Sequence, residues 1–182
     1  LLGAGVALAA ATMFPRMVLE AAVVNARVLP LLAPVLGVMA ALGFTAAALL
    51  WWSAERGGDT QGEVALRNPF EIAPALQFGA LLAGIMLLAE AARAWMGDTG
   101  LYVLSGVSGL TDVDAITLSL SRLAHGDLST EVAARAITLA AMVNTAVKGI
   151  LVAAIAGRGM AVPVGVIFGV ILAGGLAAAA LV

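Results

Sequence analysis

The chain has 182 residues, 63% of them hydrophobic and 11% charged, with a mean hydropathy of +1.09. Soluble domains carry about 25% charged and 45–50% apolar residues, so this composition is that of a membrane protein. A net charge of −2 without a basic cluster excludes a nucleic-acid footprint, the lack of cysteine excludes disulfides and thiolate sites, and one histidine, His125, excludes a multi-histidine metal site.

The first residue falls inside an apolar run with no basic region or cleavage site ahead of it, so the chain is expected to hold the later helices of a longer protein. Six apolar segments match the roughly 20 residues needed to cross about 30 Å of hydrocarbon. They are residues 1–25, 30–52, 71–96, 101–124, 132–156 and 160–182. None alternates as a barrel strand does, so the fold class expected is all-α, a polytopic transmembrane helix bundle of about six spans with one broken helix.

Segment one carries Pro15, Arg16 and Glu20. The two charges are four apart on one helical face, either as an ion pair turned into the bundle or as part of a permeation path. Pro15 is expected to bend this helix. Segment two starts at Pro30 and Pro34, which suit a first turn, and ends at Trp51 and Trp52, which suit the headgroup level. Residues 53–67 form a polar, glycine-containing loop that separates residues 1–52 from a four-helix unit, 68–182. Asn68 before Pro69 reads as a helix start, with Glu71 at the positive end of the dipole. Further along, Glu90 and Arg93 are spaced to pair, with Trp95 at the interface.

Segment four, LYVLSGVSGLTDVDAITLSLSRLA, places Asp112 and Asp114 near the centre of a membrane-length stretch, just past Gly106 and Gly109. A carboxylate at that depth costs at least a few kcal/mol, which predicts a functional polar centre. Glycines and acids together predict a break, since irregular backbone survives in a bilayer only against protein or a water-filled cavity. The bland alternative is a capping box made by Thr111 and Asp114.

Segment five offers a partner: Asn144 and Lys148 share a face, with Thr145 beside them. A lysine so central must pair, deprotonate or snorkel, and Asp112 or Asp114 is its expected partner, as an ion site or as a plain interhelical clamp. Segment six has Gly165 and Gly169 in a GxxxG pattern, then Gly174 and Gly175, and is expected to pack closely on another helix. His125 reads as a solvated loop residue. Thr12 and Arg16 echo Asn144 and Lys148, which would make the first two helices the tail of an earlier copy, as in duplicated transporters.

The runs NPFEIAP, GLTDVDAITLSLSRLA and NTAVKG resemble the C-terminal membrane domain, of unknown function, of MgtC/SapB-family proteins. The resemblance covers essentially the whole chain. It implies an upstream MgtC-like helical portion and an earlier copy of the NPF and glycine-rich helices, with MFPR, residues 13–16, resembling the close of that copy. It marks Asn68, Pro69, the run 109–114, Asn144 and Lys148 as motif positions, and its family name implies a link to magnesium.

The function expected is a cation transporter or channel in the bacterial inner membrane, for Mg2+ or coupled to protons. Asp112 and Asp114 would bind the cation or metal, Thr111 and Asn144 would add neutral oxygens, and Lys148 would be a charge partner. Arg16, Glu20 and Asn68 are secondary polar positions. Magnesium prefers hard oxygen ligands and keeps several waters, so two acids in a wet cavity would suffice. No cofactor is expected, Mg2+ entering only as substrate, and no nucleophile–base set or phosphate loop marks an enzyme. The alternative is a non-transporting membrane subunit or regulator. Partners expected are the lipid bilayer, a second copy or another membrane protein, and the missing upstream portion, with no nucleic acid. Arg56, Arg67, Arg122 and Arg135 against Arg27, Arg93 and Arg158 leave the orientation open.

Overall fold

The computed structural model describes the backbone of residues 2–57, 72–155 and 157–182, and their side chains except at 2, 54–57, 72–79, 81, 155 and 157–161. The expected residues Asn68, Pro69 and Glu71 lie outside the described residues. The described chain is all-α: α1 (Leu2–Asn25), a 3-10 turn (Ala26–Val28), α2 (Leu29–Gly57), α3 (Ile72–Met96), α4 (Asp98–Gly109), α5 (Asp114–Leu123), α6 (Thr130–Ile155) and α7 (Gly157–Ala179).

Among the described residues three stretches, not six, are long and apolar enough to cross a membrane: Gly3–Ser53, Thr130–Ala154 and Val162–Ala179. The first is folded in two. Asn25 leaves the helix with φ −155°, its Oδ1 accepts from Arg27 N at 3.1 Å, and the 3-10 turn reverses the chain. A Cβ on Gly3 would lie 3.5 Å from Leu50, and one on Gly43 would lie 2.8 Å from the Ala11 Cβ, so α1 and α2 run antiparallel along their length. The same holds for α6 and α7, where Gly149 faces Phe168 and Gly175 faces Met142. Alanine is frequent on the buried faces of α1 and α6: Ala11, Ala21, Ala133, Ala136, Ala140 and Ala141 are fully buried. In a bilayer such small residues matter because close van der Waals approach, rather than water exclusion, holds helices together.

Segment four does not cross. Its halves are 12 and 10 residues, about 18 Å and 15 Å long, each enough for half a bilayer. Gly97, with φ +59°, reverses the chain after α3, and Gly100 lies against the Ala92 carbonyl, so α4 starts beside the end of α3. That end is tied to the far end of α5, since Arg93 Nη2 donates to the Asp127 carbonyl at 2.7 Å. Laid end to end, α4 and α5 would separate these groups by more than ~30 Å, beyond any arginine side chain. The pair is therefore a re-entrant hairpin, with both ends at one face and its tip, residues 110–113, inside. The α1–α2 turn lies at the same face: Asn25 Nδ2 donates to Ser121 O at 3.2 Å, and His125 Nε2 stands 2.6 Å from Val24 O.

The re-entrant path regroups the charges at the helix ends. Arg27, Arg93, Arg122 and Arg135 share one face, which corrects the division expected for six crossings. Arg93 reaches Asp127 rather than the expected Glu90. The exposed Trp52 and Trp95 stand near helix ends, as interface residues do. In α7 the close approach comes from Gly174, against Leu42, and Gly175, against Met39, while Gly165 and Gly169 have no atom near a prospective Cβ.

Candidate functional site: a helix break at mid-depth

The tip is built by two helix ends. α4 stops at Gly109, with Leu110 N, Thr111 N and Asp112 N turning back onto the Val107 and Ser108 carbonyls. α5 starts at Asp114, whose N–H donates to Asp112 Oδ1 at 3.2 Å. The N-cap position is Val113, which offers no side-chain acceptor, and the Thr111 hydroxyl donates backwards to Ser108 O at 3.2 Å, so the expected Thr111–Asp114 capping box does not form. Asp112 accepts from one of the N–H groups that a helix start leaves without partners, and Asp114 sits in the first turn, where the helix dipole favours a negative charge.

Two membrane-length helices flank the tip. From α6, Asn144 Nδ2 donates to Gly109 O at 2.9 Å, supplying the partner for a carbonyl that the end of α4 leaves free. The approach is close because residue 109 is glycine; a Cβ there would fall 2.6 Å from Ala140 O and 3.0 Å from Val143 Cβ. From α1, Arg16 Nη2 bridges both Asp114 oxygens, at 2.7 Å to Oδ1 and 2.6 Å to Oδ2. Arg16 Nε also lies 3.7 Å from Glu20 Oε1, the intrahelical pair expected from their spacing. At 1.5 Å per residue, Arg16 stands about 4 Å and Asn144 about 2 Å from the midpoints of their helices.

The expected Lys148–aspartate pair is replaced. Lys148 Nζ points instead at Met13 Sδ, 3.3 Å away, and the cation that meets Asp114 is Arg16. The physical reason is the direction of α5, which leaves the tip alongside α1 and so presents its first turn to α1 rather than to α6. The site therefore gathers Asp112, Asp114 and Thr111 at the tip, Arg16 and Glu20 on α1, and Asn144 on α6, with Lys148 one helical turn further along α6.

The centre is charged yet incompletely satisfied. Asn144 Oδ1 and Glu20 Oε2 are buried without a hydrogen-bond partner, as are the hydroxyls of Ser105, Thr117 and Ser121 on the two arms. Such atoms are costly in low dielectric and mark places where water or a ligand completes the bonding. The Arg16 side chain is 57% exposed and that of Asp114 15%, so the pair opens outward from α1. Among the described residues no group of three or more histidine, cysteine, aspartate or glutamate side chains is arranged to hold a metal. Any cation taken at Asp112 and Asp114 would rely on backbone and amide oxygens or retained water, and would compete with Arg16. Sequence reasoning missed Asn25, which holds the α1–α2 turn to the end of α5; its only signal was an amide just before the turn.

Residues 1–156 match the family profile described as "Domain of unknown function (DUF4010)". The chain belongs to the DUF4010 family. Its matched region contains α1 to α6, hence the whole tip and both flanking helices. An uncharacterized protein of Aquifex aeolicus (strain VF5) is 37% identical over 103 residues, which is 56% of this chain and 45% of that protein. The match thus spans less than half the length of this relative. No solved structure matches the chain.

Proposed function

We propose that this DUF4010 chain is a transport domain of the bacterial inner membrane that passes a cation through the re-entrant tip, with Asp112 and Asp114 as the carboxylates that meet it. One observation carries the reading: a helix break at mid-depth, closed by Asn144 and faced by Arg16 and Glu20 from α1, with Lys148 one helical turn beyond Asn144 on α6. Broken helices of this kind build substrate sites in secondary transporters, where half-helix ends supply partial charges. The five ionisable groups sum to one negative charge when all are ionised, a balance that favours a passing cation over an anion. The motif resemblance to MgtC/SapB-family proteins makes Mg2+ the first cation to test and the proton the second.

In this mechanism Arg16 holds Asp114 while the site is empty, and an arriving cation takes over the carboxylate, releasing the guanidinium toward Glu20. Asn144 Oδ1, which has no partner, adds a neutral oxygen. The test is flux into proteoliposomes, read by a Mg2+-sensitive and a pH-sensitive dye, for the parent and for Asp112→Asn and Asp114→Asn. Flux in the parent that falls at least tenfold in both variants supports the reading; no flux in the parent, or unchanged flux in both variants, overturns it.

The bare Gly165 and Gly169 face of α7 favours a second reading, a non-transporting subunit that packs on a second copy or another membrane protein. It predicts no flux and an assembly broken by Gly169→Leu.

A further inference from the structure

Shifting the numbering by 132 residues lays Thr12 on Asn144, Arg16 on Lys148, Gly37 on Gly169 and Gly43 on Gly175. The geometry obeys the same shift. Gly43 meets Ala11 in the first hairpin and Gly175 meets Met142 in the second, positions that differ by one residue after the shift. Where the hairpins touch, Gly175 faces Met39 and Gly43 faces Ile171, the same contact seen twice, with Leu42 against Gly174 at the axis between them. As numbers on α2 rise those on α7 fall, so a pseudo-two-fold axis in the membrane plane relates α1–α2 to α6–α7. This is the geometry of an inverted repeat.

The symmetry is incomplete in one respect. On α6, Ala140, Ala141 and Asn144 are buried, with Gly109 at the end of α4 set against Ala140 and Asn144. Their counterparts on α1, Leu8, Ala9 and Thr12, are exposed, Leu8 at 48%. Asn144 closes the Gly109 carbonyl, whereas the Thr12 hydroxyl folds back onto Ala9 O at 2.9 Å. Arg16 holds a carboxylate, whereas Lys148 has only a thioether, a weak acceptor, beside a cavity of about 250 Å³ lined by Val6, Ala9, Ala10, Val152 and Phe168.

We propose that this face of α1, with Lys148 at its edge, seats a second re-entrant hairpin of the α4–α5 kind, which brings a free carbonyl to Thr12 and a carboxylate to Lys148. The occupant is assigned to the polypeptide preceding Leu1 in the full-length protein, because α4–α5 precedes α6 directly in the chain and the symmetry carries that order over to α1. Each repeat then lends its cation to the other repeat's hairpin, Arg16 to Asp114 and Lys148 to the new acid. The inference concerns assembly and stands whether or not the tip transports a cation.

The test places a photocrosslinker in the full-length protein in membranes, as Thr12→p-benzoylphenylalanine and separately as Leu8→p-benzoylphenylalanine, with the products mapped by mass spectrometry. The same group at Val23, 86% exposed and beyond this face, is the control and is expected to give lipid adducts. Crosslinks from positions 12 and 8 to a peptide preceding Leu1 are expected, with loss of that product on adding Lys148→Glu. Lipid adducts alone, a crosslink to a second copy, or a product indifferent to Lys148→Glu would overturn the proposal.

Discussion

Adding one methyl group to α4 should have opposite effects at two glycines three residues apart. At Gly109 a Cβ would fall 2.6 Å from Ala140 O and 3.0 Å from Val143 Cβ, so Gly109→Ala must push α4 away from α6 and stretch the Asn144 bond. Overpacking of this kind costs about 1–3 kcal/mol. At Gly106 nothing lies within 4 Å of the new atom, and alanine in a helix is better than glycine by roughly 0.5–1 kcal/mol. The two variants should therefore differ by about 1.5–4 kcal/mol. For a chain of this length that separates their unfolding midpoints by at least ~3 °C. Thermal unfolding in detergent micelles, followed by intrinsic tryptophan fluorescence, reads the difference directly. Equal midpoints, or Gly106→Ala as the weaker variant, would refute the close seating of the tip on α6.

Other outcomes follow from the same contacts. Asn144→Leu removes the donor to a buried carbonyl and should cost about 1–3 kcal/mol in the same melt, whereas Thr12→Ala should be neutral in the 182-residue chain. Lys148→Met should leave the stability of this chain unchanged or raise it, because the ammonium is half-buried against a thioether and a hydrophobic isostere avoids its desolvation; a clear drop in midpoint would show an acidic partner already in place. Arg16→Ala should lower the midpoint, since at mid-depth it leaves the mostly buried Asp114 carboxylate without its cation, and should alter flux if it gates Asp114.

The sequence made the tip legible because carboxylates, an amide and a lysine at bilayer depth are too costly to be incidental. Asp112, Asp114 and Asn144 were singled out that way, and Asn144 bonds the Gly109 carbonyl at the end of α4. What the chain did not disclose was direction. A broken stretch of 24 residues has the same composition whether its second half carries on across the bilayer or turns back, and the turn is decided by Gly97 and by the distant Arg93–Asp127 contact. The partner of Asp114 was hidden for the same reason: once α5 turns back along α1, Arg16, 98 residues earlier, lies nearer than Lys148. GxxxG in α7 pointed to the right helix but the wrong glycines, since that pattern marks a face able to pack closely without saying whether its neighbour is in the same chain.

Re-entry itself is the claim to test first. The chain has no cysteine, so single cysteines at Asp98 and Asp127, both exposed and flanking α4–α5, can be labelled without background by a membrane-impermeant maleimide applied to one side of oriented vesicles. Labelling of Asp98→Cys and Asp127→Cys from the same side, together with Arg27→Cys in the α1–α2 turn, is the predicted result. Labelling of Asp98→Cys and Asp127→Cys from opposite sides would make α4–α5 a crossing helix and remove the buried tip.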